Sequence, residues 1–186
     1  MNRVSVIIFI LVSFIFSNNI KDWESLSLEG KIGQMIMVRV NGNYYQSDNR
    51  YQKTLEKWIS DYHIGGIIAF SGSIHGTFYN IKKFQSWSNV PLFVAADYER
   101  GLGQWIDFAT LFPSNMAVAA TGSTDLAYEQ GHITALEARA LGIHVTFSPV
   151  MDINNNPDNP IINFRSYSDN PEIVAEFGTA FIKGAQ

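Results

Sequence analysis

Apolar residues along this chain follow two alternating patterns. Short, wholly apolar runs at 65–70 and 91–96 are typical of strands that are buried on both faces of a sheet. The run at 143–150 is rich in β-branched and aromatic residues, which also predicts a buried strand. Between these runs, apolar residues recur every three or four positions, which indicates amphipathic helices. The alternation predicts an α/β fold in which helices cover a parallel sheet.

Several of the predicted helices carry start signals. Ser27 can cap a short helix that leads into a strand near Val38, and Ser123 or Thr124 can cap a long helix. Pro171 occupies a favoured first helical position. Two further helices are predicted from Leu55, Trp58, Ile59 and Tyr62, and from residues 80–87 with Ile81, Phe84 and Trp87. The long helix runs to about Leu141, with an apolar side formed by Leu126, Ala127, Ile133, Leu136, Ala140 and Leu141.

Both an open doubly wound sheet and a TIM-type (β/α)8 barrel fit this pattern. A barrel takes about 250 residues, so a chain of 186 residues would contain about half of one. The last helical pattern continues to the C-terminus, and we therefore expect a truncated chain that forms the N-terminal half of a barrel. Such a fragment should be poorly stable and inactive alone, because an unclosed barrel leaves a strand edge unpaired.

The N-terminus resembles an export signal. Arg3 precedes an apolar run at 4–16, and polar residues at 17–19 end that run. Thirteen helical residues span only about 20 Å, which is short of the ~30 Å hydrocarbon core of a membrane. We therefore expect a signal peptide at 1–19, a domain at 20–186, export to the periplasm or cell exterior, and no permanent membrane anchor. A buried N-terminal helix is the alternative.

Composition narrows the classes of function. The net charge of −4 offers no basic surface for nucleic acid. The absence of cysteine excludes disulfides, thiolate nucleophiles and cysteine-ligated zinc. The four histidines have no metal-ligand spacing. A Gly-x-Ser-x-Gly elbow and the third glycine of a dinucleotide fingerprint are also absent, which disfavours serine hydrolases and nucleotide binding.

The segment 152–160 combines amides and prolines directly after an apolar run. Asn and Asp side chains satisfy nearby main-chain groups, and proline fixes φ, so such a loop can be rigid without regular structure. Rigid polar loops at strand ends are where α/β proteins bind their ligands. We interpret this segment as a binding loop.

Asp97 and Glu99 follow the apolar run at 91–96. Two carboxylates could form the acid–base pair of a glycosidase, but catalytic carboxylates usually come from different strands. A structural pairing of Glu99 with Arg100 or another nearby arginine is therefore preferred, with Asp97 alone as the ligand-binding residue. Arg165 has three potential uses: a salt bridge that holds the loop, a donor to sugar hydroxyls, or a phosphate clamp.

Together these segments resemble the N-terminal barrel domain of glycoside hydrolase family 3. The matching segments are Lys-Ile-Gly-Gln-Met at 31–35, Gly-Gly-Ile-Ile at 65–68, Ala-Asp-Tyr-Glu-Arg-Gly at 96–101, Phe-Pro at 112–113 with Met-Ala at 116–117, and a fifth segment made of Phe-Ser-Pro-Val-Met-Asp at 147–152, Asn-Pro at 156–157 and Arg-Ser-Tyr at 165–167. Any one segment is weak evidence, but five in this order are specific.

The resemblance implies a retaining, exo-acting hydrolase of terminal β-glycosidic bonds, with a β-N-acetylhexosaminidase preferred to a β-glucosidase. It implies that Asp97 and Arg165 bind hydroxyls of the terminal sugar, that the nucleophile lies downstream of Gln186, and that no metal or organic cofactor is needed. The partner is then a carbohydrate. A non-catalytic sugar-binding fragment is the alternative from another class.

The chain departs from the hexosaminidase pattern after Glu99. Many such relatives have two glycines and then arginines, whereas this chain has Arg100 at the first glycine and Leu102 and Trp105 at the expected arginine positions. Trp105 would then be either an apolar platform for a sugar face or a core residue.

Overall fold

The structure, a computed structural model, describes residues 25–46 and 49–186. The predicted signal peptide at 1–19 lies outside the described residues. The helices are α1 (Leu28–Gly33), α2 (Arg50–Ser60), α3 (Ile74–Trp87), α4 (Asn115–Ala119), α5 (Thr124–Ala140) and α6 (Pro171–Ala185). The strands are β1 (Met37–Gly42), β2 (Gly66–Ser73), β3 (Phe93–Ala96), β4 (Ile106–Asp107) and β5 (Val145–Thr146), and 3₁₀ turns occupy Leu102–Gln104 and Asn163–Arg165.

The sheet follows the order of the chain. Its strands lie in the order β1-β2-β3-β5, and β4 pairs with the end of β2. Both β2 with β4 and β3 with β5 pair in parallel. Successive strands that lie side by side, with helices between them, are the arrangement of consecutive strands in a (β/α)8 barrel. The predicted parallel α/β fold is confirmed.

The chain divides into two compact units. The first extends to Met37 and includes Tyr45–Gly66 and Lys83–Leu92; the second contains Val38–Tyr44, Ile67–Lys82 and Phe93–Gln186. In the first unit Ser27 caps α1 by accepting from the Gly30 amide, as predicted. Its buried apolar side chains are Leu55, Ile59, Ile64, Phe84 and Leu92.

The second unit contains the sheet and the contact between α5 and α6. These two helices approach closely at two glycines. A Cβ at Gly131 would overlap the Phe181 carbonyl, and a Cβ at Gly184 would overlap the Tyr128 carbonyl. The buried cluster beside them consists of Val118, Ala127, Tyr167, Val174 and Phe177. Pro171 stands at the start of α6, as predicted, and Asn170 caps that helix.

Three predictions about elements need correction. The strand expected over 143–150 covers only Val145–Thr146, and Pro149 has no N–H with which to extend it. The helix expected from residue 80 begins at Ile74. On α5, Leu126 and Leu136 are exposed, because the buried face of the helix is made of small and polar residues: Ala127, Gln130, Gly131, Thr134 and Ala138.

Candidate functional site

The predicted ligand-binding segments meet at one end of the sheet. Asp97 directly follows β3, whose last residue Ala96 lies in register with Thr146 of β5. The Phe147 amide donates to the Ala96 carbonyl at 2.9 Å, so the pairing continues to the point where the chain turns towards the loop at 152–160. Parallel strands bring their carboxyl ends to the same edge of a sheet, which is the position that both segments require.

Glu99 and Arg165 form a two-pronged ion pair. Arg165 Nε donates to Glu99 Oε2 at 2.8 Å and Nη2 donates to Oε1 at 2.5 Å. The Glu99 side chain is 6% exposed and that of Arg165 is 35% exposed. Both carboxylate oxygens of Glu99 thus accept from one guanidinium, which supports the structural interpretation of Glu99 over an acid–base pair with Asp97. The predicted partner was Arg100 or another nearby arginine; the structure shows Arg165, which is 66 positions away in the sequence.

The ion pair attaches the loop to the end of β3. Arg165 Nη1 also donates to the Ile161 carbonyl at 3.2 Å, and Asn115 Nδ2 donates to the Arg165 carbonyl at 2.8 Å. With the two bonds to Glu99, the bond to Ile161 brings the number of guanidinium N–H groups in use to three of five. The side chain is therefore fixed in one plane while part of its donor surface stays accessible to solvent.

Asp97 lies within electrostatic reach of this pair. Burial raises the pKa of its carboxyl group, the negative charge of Glu99 raises it further, and the positive charge of Arg165 lowers it. Within residues 25–46 and 49–186 no group donates a hydrogen bond to the Asp97 carboxylate. The structure therefore places the Asp97 carboxylate within electrostatic range of the Arg165 guanidinium.

Three carboxylates surround one guanidinium. The hydrogen bonds that Arg165 donates to Glu99 are the main cause of its raised pKa. Burial lowers the pKa, and the charges of Glu99, Asp97 and Asp152 raise it further. The local charge is negative, which does not suit a phosphate clamp. A neutral ligand with several hydroxyl groups matches these donors and acceptors better.

Neighbouring side chains hold the main chain at 97–100. Trp105 Nε1 donates to the Asp97 carbonyl at 2.9 Å. The Arg100 amide donates to Gln104 Oε1 at 3.0 Å, and the buried Gln130 Nε2 donates to the Glu99 carbonyl at 3.1 Å. Sequence reasoning missed Asn115 and Gln130. Gln130 gave a signal, since it is a polar residue one turn from Ala127 on the helix.

Gly101 makes the turn after Arg100 feasible. Its φ is +78°, which favours glycine, and a Cβ there would lie 2.6 Å from the Thr110 carbonyl and 2.8 Å from the Phe112 ring. The Phe112 amide donates to the Arg100 carbonyl at 2.9 Å, so the chain returns beside its own turn. This turn leads to β4 and places Trp105 beside Asp97.

The loop at 152–160 satisfies its own main chain, as predicted. Asn156 Oδ1 accepts from the Asp158 amide at 3.1 Å, and Asn159 Oδ1 accepts from the Ile161 amide at 2.9 Å. The fully buried Ser166 donates to the Asp152 carbonyl and joins the start of the loop to the segment that follows it.

A cavity of about 720 Å³ lies beside this loop, but Asp97, Glu99 and Arg165 do not line it. Its lining includes Met116, Asn154, Asn155, Tyr167 and Ile173. The charges and unused hydrogen-bonding groups at the strand ends mark the candidate site better than this cavity does. Within the part of the chain that the structure describes, His, Asp and Glu residues form no group of three that could hold a metal ion.

Comparison with known proteins decides the family. The model of the glycosyl hydrolase family 3 N-terminal domain matches residues 27–186. The chain belongs to glycosyl hydrolase family 3. Its membership confirms the resemblance drawn from the ordered motifs, and it identifies the sheet and helices as the N-terminal half of a (β/α)8 barrel.

Similar family 3 proteins include a β-N-acetylglucosaminidase/β-glucosidase of Cellulomonas fimi, 35% identical over 84% of this chain and 26% of its own length. The β-hexosaminidase A of Pseudoalteromonas piscicida is 39% identical over 69% of this chain and 24% of its own. The chain thus spans about a quarter of the length of these relatives.

Two solved structures have similar folds. A family 3 β-N-acetylglucosaminidase of Paenibacillus sp. str. FPU-7 has a TM-score of 0.77 and 38% identity, over 87% of this chain and 31% of its own. A β-glucoside phosphorylase bound to 2FGlc has a TM-score of 0.78 and 28% identity, over 88% of this chain and 28% of its own.

Proposed function

We propose that the full-length protein hydrolyses terminal β-glycosidic bonds, as an exo-acting β-N-acetylhexosaminidase with a retaining mechanism. Family membership and the names of relatives 35% and 39% identical support this activity. In a retaining reaction a carboxylate attacks the anomeric carbon and water then releases the glycosyl-enzyme intermediate. We propose that this nucleophile comes from outside the 186 residues, as the family resemblance implies.

The observation that carries the proposal is the convergence of Asp97 and Arg165 at the carboxyl end of β3. The Asp97 carboxylate can accept hydrogen bonds from two sugar hydroxyls, and the N–H groups of Arg165 can donate to another hydroxyl in a fixed plane. Two such contacts fix the orientation of a pyranose ring, which reduces the entropic cost of reaching the attacking geometry.

Glu99 has a supporting role in this proposal. Its carboxylate holds the guanidinium of Arg165 by two parallel hydrogen bonds. A guanidinium fixed in this way loses little additional side-chain entropy when it binds sugar. Glu99 therefore orients a sugar-binding residue and does not itself transfer a proton.

Replacing Asp97 by alanine tests the sugar-binding role. Each hydrogen bond to a charged group is worth about 1.5–3 kcal/mol, so the loss of two should lower kcat/KM by about 100-fold or more while the protein stays folded. Steady-state kinetics and thermal unfolding of the full-length variant provide the measurement. The exposed Asp61→Ala is a matched control. Normal kcat/KM in Asp97→Ala would contradict the assignment.

Two properties can be tested with aryl glycosides: which terminal sugar the enzyme prefers, and whether water or phosphate accepts that sugar. Aryl β-N-acetylglucosaminide and aryl β-glucoside should be compared, each with and without inorganic phosphate, because one similar structure is a phosphorylase. We expect faster release from the N-acetylglucosaminide, with no requirement for phosphate. Faster turnover of the glucoside favours a β-glucosidase, and turnover of neither sugar under either condition contradicts both activities.

We also propose that residues 1–19 direct export of the protein. An arginine followed by an apolar run of thirteen residues supports this interpretation. No helix in the described part of the chain is long and apolar enough to cross a membrane. N-terminal sequencing of the protein from the native cells is the test: an intact Met1 in the purified protein would refute cleavage.

A further inference from the structure

We infer that Trp105 is a positioning residue for Asp97, an inference that rests on the proposed function. The indole N–H of Trp105 donates to the main-chain carbonyl of Asp97 at 2.9 Å. This carbonyl belongs to the residue whose carboxylate we assign to the sugar. Trp105 thus acts on the site through the main chain of Asp97.

This hydrogen bond lies directly after the last main-chain hydrogen bond between the β3 and β5 segments. The Phe147 amide from β5 still pairs with the Ala96 carbonyl, one residue earlier. The next carbonyl, that of Asp97, accepts from a side chain instead. The carbonyl carbon and the side chain of Asp97 are bonded to the same Cα, so a displacement of this carbonyl changes the direction of Cα–Cβ and shifts the carboxylate.

Trp105 is itself fixed at both main-chain and side-chain atoms. Its carbonyl accepts from the Gly72 amide at 3.0 Å, and β4 begins at the next residue. Its ring meets the Phe70 ring at 67°, with centroids 5.6 Å apart, and the Arg39 guanidinium carbon lies 4.2 Å above the Phe70 ring. Arg39 of β1, Phe70 of β2 and Trp105 form a side-chain ladder that ends at Asp97.

The indole combines two roles that a substitution can separate. Indole N–H is a donor with no acceptor role, and the rest of the ring packs by apolar and aromatic contact. Phenylalanine keeps an aromatic ring that can pack against Phe70 but cannot donate to the Asp97 carbonyl. Trp105→Phe therefore removes the hydrogen bond while preserving most of the packing.

The test compares Trp105→Phe with Trp87→Phe in the full-length protein. Trp87 is a half-buried tryptophan at the end of α3 that packs on Phe84, so it controls for the loss of an indole. Hydrogen–deuterium exchange of a peptide covering residues 96–101 should be several-fold faster in Trp105→Phe and unchanged in Trp87→Phe. This measurement does not depend on turnover.

Kinetics then test whether the position of Asp97 matters for the sugar. We expect kcat/KM to fall by about 5-fold in Trp105→Phe, which corresponds to one lost hydrogen bond of about 1 kcal/mol, and to stay normal in Trp87→Phe. In the Asp97→Ala background Trp105→Phe should change kcat/KM by less than about 2-fold, because the two residues act in series. If Trp105 had a purely structural role, Trp105→Phe would lower kcat/KM by the same factor in the wild-type and the Asp97→Ala backgrounds.

The outcomes separate this inference from the proposed function. Unchanged exchange at 96–101, or faster exchange with unchanged kcat/KM, overturns the positioning role while glycosidase activity stands. A wild-type protein that turns over neither aryl glycoside contradicts the proposed function; faster exchange in Trp105→Phe would then still support Trp105 as the residue that fixes the Asp97 main chain.

Discussion

The surroundings of Asp97 disfavour the charged form of its carboxyl group. Its pKa is raised above the ordinary value of 3.8, first by burial and then by Glu99. Above the folded-state pKa the carboxylate is charged in the folded and the unfolded protein, and only the folded state bears the cost of burial and repulsion. As pH falls, the folded state takes up the proton first, so this cost declines towards pH 3.8.

We therefore expect Asp97→Asn to raise the melting temperature at pH 7, because the amide keeps the shape of the side chain and removes its charge. The gain should shrink as pH falls to 4. Melting curves of the full-length protein at both pH values provide the measurement, with the exposed Asp61→Asn as the control. A gain of the same size at both pH values would show that the cause is not ionisation.

Asn115 carries a second residue-scale prediction. Its side chain is 1% exposed and donates to the Arg165 carbonyl at 2.8 Å. Asn115→Ala leaves that carbonyl without this donor and should lower the free energy of unfolding by about 1–2 kcal/mol. Urea unfolding measures the change, with the exposed Asn155→Ala as the control. Equal stability of the two variants would argue against a supporting role for Asn115.

At the scale of elements, the close contact between α5 and α6 determines how a substitution at Gly131 affects stability. Because a Cβ at Gly131 would overlap the Phe181 carbonyl, Gly131→Ala must push α5 and α6 apart. Overpacking costs about 1–3 kcal/mol, which exceeds the ~1 kcal/mol that alanine gains over glycine in a helix. Unfolding by urea should show a net loss of stability, while the exposed Thr179→Ala on α6 should show little change. A more stable Gly131→Ala protein would mean that the helices are not in tight contact.

At this scale the sequence predicts which elements exist better than it predicts their limits. Ser27, Pro171 and the apolar run before Asp97 marked their elements because capping, fixed φ and burial are local properties. The strand at 143–150 was overestimated, since its apolar residues form only a short pairing with β3. β4 was not predicted at all, because two residues pair with β2 only after the turn at Gly101 brings them together.

At the scale of the whole molecule, the exposed edge of the sheet predicts whether the isolated 186-residue chain self-associates. In the described strand order β5 stands at one end, and Val145 and Phe147 there are 38% and 53% exposed. Exposed apolar strands at a sheet edge favour pairing between molecules. We expect this polypeptide to self-associate in light scattering and Val145→Lys to reduce the effect. A monodisperse monomer with a cooperative melt would contradict this expectation.

Some residues of the candidate site could be predicted from the sequence, and others became apparent only from the folded chain. Asp97 and Arg165 were predicted as sugar-binding residues from ordered family motifs, and the structure places them within electrostatic range of each other. The partner of Glu99 could not be chosen from spacing alone, because Arg100 is adjacent in sequence while Arg165 becomes adjacent only through the pairing of β3 with β5. Asn115 and Gln130 support the site from helices, where a lone amide carries no recognisable motif.

The ion pair between Glu99 and Arg165 also has a consequence for biosynthesis. Its two residues are 66 positions apart, and ribosomes add about 5–20 residues per second. The glutamate therefore waits roughly 3–13 s for its arginine to be made. Throughout that interval the nascent chain carries an acidic end of β3 without its counter-ion, so this end of the sheet is completed only after Arg165 has been translated.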